Sequence, residues 1–192
     1  MTQQIFESKA EQRNLTLRLR RGMTDTELSK KSAQICSRLL LQPEIQRARL
    51  ILSYMPTYDE VDVSSLNRGL CVSGKRVCYP VTAGGGMMSA YEPNNDSAFE
   101  KKRYGILEPV TAQSHLIPPE DIDVVLLPCV AFDDKLNRLG HGAGYYDRFL
   151  PLCTKAVKIA AAFEIQRLDE VLCGEHDVPL DMVVTEKKIY KI

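Results

Sequence analysis

The chain has 192 residues, 44% of them hydrophobic and 26% charged, with 25 Lys+Arg against 25 Asp+Glu. That length fills one substantial core, and the composition is that of soluble globular proteins, which excludes a disordered chain and a membrane class. The charge balance removes the bulk positive field on which non-specific nucleic-acid binding draws. No apolar run approaches the ~20 residues of a spanning helix, and the opening MTQQIFESKAEQR has no hydrophobic signal core. The expectation is a single domain over residues 1–192, monomeric and cytoplasmic, with neither nucleic acid nor membrane as partner. Cys36, Cys71, Cys78, Cys129, Cys153 and Cys173 form no CxxC pair, and most lie in apolar contexts such as LLPCVAF, so reduced, buried thiols are expected. His115, His141 and His176 lack HxH or HExxH spacing, which argues against zinc.

In chain order, residues 3–21 set apolar and basic positions among good helix formers and stop at Gly22. Thr24-Asp25-Thr26-Glu27 is a capping box for a second helix that runs to about Leu41 and is broken by Pro43. Residues 49–55 (RLILSYM) are too short an apolar run for a helix and read as a buried strand. Beyond Pro56, a polar loop with Asp59 and Glu60 leads into a helix over 62–73. Residues 76–79 and 87–91 read as strands around Ala83-Gly84-Gly85-Gly86, a mobile turn. Residues 92–121, rich in proline, asparagine and charge, read as an irregular excursion over the active face. Residues 123–130 (DVVLLPCV) are the most hydrophobic strand candidate, and 157–163 (VKIAAAF) are another. Helices are expected over 145–153 and 168–172, with a closing strand pair over 182–185 and 188–191. This alternation specifies a three-layer α/β domain with a largely parallel central sheet.

The stretch 136–150, LNRLGHGAGYYDRFL, carries the chemistry. Gly140, Gly142 and Gly144 alternate between Arg138 and a Tyr-Tyr-Asp-Arg run in which a helix starts. Glycine admits positive φ and close approach, and the unpaired N–H groups of a helix start face negative charge. The strongest strand candidate delivers the chain straight to this stretch, and open α/β sheets bind ligands beyond the carboxyl ends of their strands. The spacing is neither GxxxxGK[ST] nor GxGxxG after a strand, so the glycines alone fit a phosphate cradle and a tight structural turn equally. Arg138 suits phosphate oxygens, and Asp147 suits either a magnesium ion or the helix dipole. Lys9 and Arg13, four apart, either grip a polyphosphate together or belong to a solvated basic face with Arg18, Arg20 and Arg21. Asp59 and Glu60 suit either a pterin-like, amide-bearing ligand or a solvated acidic loop. There is no GxSxG elbow and no Cys or Ser in an evident nucleophile context, so covalent hydrolase chemistry lacks support.

Asn137-Arg138-Leu139-Gly140-His141-Gly142-Ala143-Gly144-Tyr145-Tyr146-Asp147 resembles N-R-[LI]-G-x-G-x-G-[YF]-Y-D, the hallmark of the 5-formyltetrahydrofolate cyclo-ligase family, also called methenyltetrahydrofolate synthetase. The resemblance continues through Lys9-x-x-x-Arg13, Asp59-Glu60, Gly-Ile-x-Glu-Pro at 105–109, Ala-Phe-Glu at 162–164 and His-Asp-x-Pro-Leu-Asp at 176–181, and it spans the chain in order. It implies a fold similar to the sugar-phosphate isomerase and CoA-transferase group. It also implies ATP-driven closure of 5-formyltetrahydrofolate to 5,10-methenyltetrahydrofolate, with ATP as co-substrate and Mg2+. By motif, Lys9, Arg13, Arg138, Leu139, Gly140, His141, Gly142, Ala143, Gly144, Tyr145 and Tyr146 would hold ATP. Met55, Glu60, His141, Gly142, Ala143, Gly144 and Tyr145 would contact the folate. Arg138 and Tyr145 would be catalytic, and Asp147 with Asp181 would bind magnesium. Some members carry arginine at the position of His141 and lysine at that of Ala143, so a direct side-chain grip from these two positions differs here. Two other readings stay open: a non-catalytic folate or nucleotide binding module, and a sugar-phosphate isomerase that needs a carboxylate base but no ATP.

Overall fold

The computed structural model describes residues 6–95, 98–102 and 105–191. Ser8 caps the first helix, α1 (Lys9–Arg21), by accepting the Glu11 N–H, which starts it later than residue 3; residues 3–5 of the expected helix lie outside the described ones. The capping box is present. Glu27 N–H donates to Thr24 Oγ1 at 3.3 Å, Thr24 N–H donates to the Glu27 carboxylate at 2.9 Å, and α2 (Asp25–Leu40) follows. Pro43 does more than end that helix. With no N–H to lose, it opens a short one, α3 (Pro43–Arg47), at the first-turn position that proline tolerates.

Next come β1 (Leu50–Leu52), α4 (Ser64–Val72), β2 (Arg76–Thr82) and β3 (Met88–Pro93). They are followed by β4 (Phe99–Lys101), β5 (Leu107–Pro109), β6 (Ser114–Ile117) and β7 (Val124–Pro128). A small hairpin, β8 (Ala131–Phe132) and β9 (Arg138–Leu139), precedes α5 (Tyr145–Phe149), and β10 (Val157–Ala161), β11 (Met182–Val184) and β12 (Ile189–Lys191) close the chain. Eight strands form one sheet in the order β12-β11-β10-β7-β1-β2-β3-β6. The five from β11 to β2 pair in parallel, and β12, β3 and β6 join antiparallel at the edges, so the sheet is largely parallel as expected.

The central strands read as unbroken apolar runs because both of their faces are buried. Ile51, Val77, Leu126, Ile159 and Met182 pack with Ile35, Leu39, Ile45, Leu66 and Leu70 of α2, α3 and α4. Their neighbours Leu52, Cys78, Val125, Leu127 and Val183 pack with Phe132, Leu136, Phe149 and Leu180 on the other side. Four cysteines, Cys36, Cys78, Cys129 and Cys153, are buried, whereas Cys71 and Cys173 are exposed. Burial pushes the Cys36 and Cys153 thiols up to about 11 and that of Cys129 to about 12. Among the described residues no helix is long and apolar enough to cross a membrane.

Three expectations give way. Residues 92–121 are not an irregular excursion: β4 and β5 form a hairpin and β6 extends the sheet. Buried Glu108 ties the hairpin to β2 by accepting from Thr82 N at 3.0 Å and Oγ1 at 2.7 Å. Tyr104, part of the same stretch, lies outside the described residues. The helix over 145–153 is only α5 and a 3-10 turn at Leu150–Leu152, since Pro151 has no N–H for the helical ladder. Residues 168–172 are not helical, because their N–H groups are used elsewhere. Leu168 donates to Phe132 O, Val171 to Asp133 Oδ2 and Leu172 to Gln12 Oε1, each at 2.9–3.0 Å.

From β1 the chain moves outward through β2 and β3 to β6, and from β7 it moves the other way through β10 and β11 to β12. The direction reverses between β1 and β7, which is where doubly wound sheets leave a crevice for ligands. The parallel core carries this arrangement. Leu126→Ala, at a residue 0% exposed, should lower stability by about 2–5 kcal/mol in urea unfolding, whereas Leu41→Ala, 78% exposed, should stay within about 0.5 kcal/mol.

Candidate active site

The loops leaving β1 and β7 meet at that reversal, and α1 is pinned across both. Arg20, 1% exposed, donates from Nη2 to Asp59 Oδ1 at 3.0 Å and from Nη1 to Cys129 O at 3.3 Å. Arg21 Nε also comes within 3.6 Å of Asp59. Asp59 thus holds α1 through its Oδ1, and Glu60 is the acid of the pair that turns to the glycine stretch. Its Oε2 accepts the Thr57 N–H at 2.9 Å and its Oε1 lies 3.3 Å from His141 Nε2. A cleft of about 380 Å³ lies beside Glu60, lined also by Leu28, Ser32, Pro56, Thr57 and Tyr58.

Asp133 shapes the hairpin that enters the glycine turn. Its Oδ1 accepts the Lys135 and Asn137 N–H groups at 3.0 Å and its Oδ2 accepts Asn137 Nδ2 at 2.9 Å, so Asn137 of the motif serves the hairpin and not the cradle. Beyond it Gly142 and Gly144 take φ of 97° and 69°. The three glycines also leave room for three guanidinium groups. A Cβ on Gly140 would stand 3.0 Å from Arg138 Nη1, one on Gly142 3.2 Å from Arg13 Cζ, and one on Gly144 3.0 Å from Arg148 Nη1.

Each arginine is anchored. Arg13 Nε donates to Gly140 O at 2.8 Å, and Arg148 Nη2 donates to Ala143 O at 2.5 Å. Arg138, 7% exposed, donates to Asp147 Oδ1 at 3.1 Å and Pro128 O at 3.4 Å, and lies 5.5 Å from the centre of the Tyr146 ring. Its Nε has no hydrogen-bond partner among the described residues. A buried guanidinium with a spare donor suits an anionic oxygen. Because α5 is only five residues long, attraction for an anion comes from these guanidinium groups and single N–H donors more than from a helix dipole.

Lys9 pairs with Asp177, whose Oδ2 also accepts the Gly174 N–H at 2.6 Å. Burial pushes the Asp177 carboxyl up, but the Lys9 and Gly174 hydrogen bonds and the charges of Lys9 and Arg138 outweigh it and hold the group below its usual range. Met55 is half-buried against the helical side of the core, Tyr145 and Tyr146 are half-buried on the other side, and Leu139 is buried. His141, Gly142 and Ala143 are exposed along the turn.

The expected magnesium pair is not assembled. Asp181 accepts the Lys158 N–H at 2.7 Å and pairs with Lys158 Nζ at 3.1 Å. Lys158 is paired with Val125, whereas the Arg138–Asp147 pair sits at the carbonyl of Pro128. The register thus puts Asp181 three residues lower on the sheet, about 10 Å by strand rise. Among the described residues no group of three or more His, Cys, Asp or Glu side chains could hold a metal. The acid near the chain end that reaches the cationic cluster is Asp177. Arg20, Arg148 and Asp177 are therefore site residues that the sequence reading did not assign. Arg148 closes the Tyr-Tyr-Asp-Arg run and Asp177 stands in the His-Asp motif, but nothing local separates Arg20 from the other basic positions of its helix.

Glu60 gives the site an acid-labile element. Burial pushes its carboxyl up, while the hydrogen bonds from His141 and Thr57 and the charge of Arg20 more than offset this and leave it below the ordinary 4.5. A depressed folded-state value stabilises the fold above the unfolded value, and that stability is lost as pH falls through the folded one. Glu60→Gln should therefore flatten the loss of stability below pH 4.5, read as urea midpoints across pH. Equal slopes in the two proteins would remove the assignment.

The 5-formyltetrahydrofolate cyclo-ligase family model matches residues 5–186. The 5-formyltetrahydrofolate cyclo-ligase of Escherichia coli K12 is 29% identical over 178 residues, covering 90% of this chain and 97% of that protein. The NMR structure of Aquifex aeolicus 5,10-methenyltetrahydrofolate synthetase is similar with a TM-score of 0.84 and 31% identity, over 95% of this chain and 92% of that one. The Mycoplasma pneumoniae 5,10-methenyltetrahydrofolate synthetase gives 0.76 and 26%, over 93% and 99%. The family match runs through both halves of the site, from the Lys9 end of α1 to the loop that carries Asp177, and the chain belongs to the 5-formyltetrahydrofolate cyclo-ligase family.

Proposed function

We propose that this protein uses ATP to close 5-formyltetrahydrofolate to 5,10-methenyltetrahydrofolate, with release of ADP and phosphate. The observation that carries the reading is Arg138, a buried guanidinium at the reversal of the sheet whose Nε has no partner among the described residues. In this reading the triphosphate lies along the turn, with Lys9, Arg13 and Arg138 neutralising its oxygens and the N–H groups from Leu139 to Tyr146 donating. The folate lies on the Glu60 side, where an ionised carboxylate accepts from the pterin amide and amino groups and Met55 supplies apolar contact. His141 to Tyr145 then face both substrates, and Tyr145 stands where the reacting groups meet.

The formyl oxygen attacks the γ-phosphorus and ADP departs. The second folate nitrogen attacks the activated carbon and expels phosphate, which closes the ring. Phosphoryl transfer asks a protein mainly for positioning and charge neutralisation, and the second step is intramolecular, so no protein nucleophile is required. A magnesium ion commonly takes one or two carboxylates together with substrate phosphates, and in this reading Asp147 would hold one. Such an ion would neutralise charge on the phosphates. We read residues 1–192 as one catalytic domain acting as a monomer in the cytoplasm.

Coupled measurement of ADP release and methenyl-folate absorbance tests the reading, and absence of turnover with Mg-ATP and 5-formyltetrahydrofolate would overturn it. Arg138→Ala and Asp147→Asn should each lower turnover about tenfold or more with the fold intact, by analogy with loss of one preorganised donor. Asp181→Asn, which loosens Lys158, should leave turnover near that of the wild type.

A further inference from the structure

We propose that Arg148 is a positioning residue that pins the Gly84–Gly86 turn, between β2 and β3, onto the glycine turn of the active site. Its Nε donates to Gly86 O at 2.9 Å while its Nη2 donates to Ala143 O at 2.5 Å. Both partners are backbone carbonyls in turns rich in glycine, where side chains offer little to fix the shape. Gly85 and Gly86 have φ of 71° and 73°, and Gly142 and Gly144 have φ of 97° and 69°. A guanidinium is a planar fork whose Nε and Nη2 donors sit at a fixed spacing, so engaging both carbonyls fixes the two turns relative to each other, whereas the donors of a lysine ammonium converge on one rotatable nitrogen and lack that spacing. Phe149, buried next in sequence, anchors the short helix that carries the arginine.

The glycines record the same contact. A Cβ on Gly86 would fall 1.8 Å from Arg148 Nη2 and 2.7 Å from its Cζ, whereas one on Gly85 would meet nothing within 4 Å. The two residues share the sign and size of φ and differ in the space that Arg148 occupies. Gly86 is thus the seat for Arg148, and Gly84 and Gly85 make no such contact. The catalytic consequence rests on the proposed function, in which the residues of the glycine turn face both substrates; the pin itself does not.

The experiment reads turnover and amide hydrogen exchange over residues 140–146 in Arg148→Met, Arg148→Lys, Gly86→Ala, the Gly86→Ala/Arg148→Met double variant and Gly85→Ala. Arg148→Met and Gly86→Ala should each speed exchange in the turn and lower kcat about tenfold or more, as misplacement of catalytic groups does. The double variant should be no worse than either single one, because both remove the same contact. Arg148→Lys should not rescue. Gly85→Ala takes on equal positive-φ strain without touching Arg148 and should stay near wild type in both readouts. Additive losses in the double variant, equal losses at Gly85 and Gly86, or unchanged exchange in Arg148→Met would overturn the proposal. Exchange is read without substrate, so it judges the pin even if wild-type turnover fails.

Discussion

One fully buried guanidinium, Arg20, fixes where the two halves of the site stand. It reaches the carboxylate of Asp59 after β1 and the carbonyl of Cys129 after β7, the two strands between which the sheet reverses direction. Gln166 adds donors to the carbonyls of Cys129 and Val130, so the end of β7 is held from two sides. Burying an arginine is tolerated only with such partners, and truncating it would leave Asp59 without its closest counter-charge. Lys9, Arg13 and Arg20 fall on one face of α1 at four- and seven-residue steps. The same helix also buries Gln12 and Thr16, with Gln12 bridging Glu170 O and Leu172 N. The helix is therefore docked by polar groups, and its cations are carried to the site with it.

That docking explains which parts of the molecule were legible in the sequence. The parallel strands announced themselves, because a strand buried on both faces needs only a short apolar run, as in residues 123–130. The capping box at Thr24 and Glu27 was equally plain, being a contact between near neighbours. What was misread depended on distant partners. The β4–β5 hairpin is tied to β2 by Glu108 and the distant Thr82, and residues 168–172 give up helical bonds to Phe132, Asp133 and Gln12. Pro43 could be read as a stop or a start, and the chain used it as a start.

The same distinction runs through the site. The glycine stretch and its arginine were evident from local spacing. The choice between Asp59 and Glu60 was not, since it is made by Arg20 from α1. Asp177 and Asp181 stand close in sequence, but strand register commits Asp181 to Lys158 and leaves Asp177 to Lys9. Ion pairs already stand in the site, Arg138 with Asp147 and Lys9 with Asp177, whereas Arg13 and Arg148 meet backbone carbonyls. At Arg138 and Lys9 an arriving anion would exchange partners with a carboxylate, and the existing pairs spare the protein the cost of burying those ions unpaired.

The interlock of glycine and arginine has a bearing on how such a chain varies over evolutionary time. Four glycines, Gly86, Gly140, Gly142 and Gly144, each yield space to a guanidinium from Arg148, Arg138, Arg13 and again Arg148. Gly86 with Arg148 and Gly142 with Arg13, far apart in the chain, are thereby coupled sterically. A lineage that gives up Arg148 is relieved of the steric demand at Gly86, whereas one that fills Gly86 first must find the arginine another seat. The permissible order of such changes is set by which side of each pair moves first.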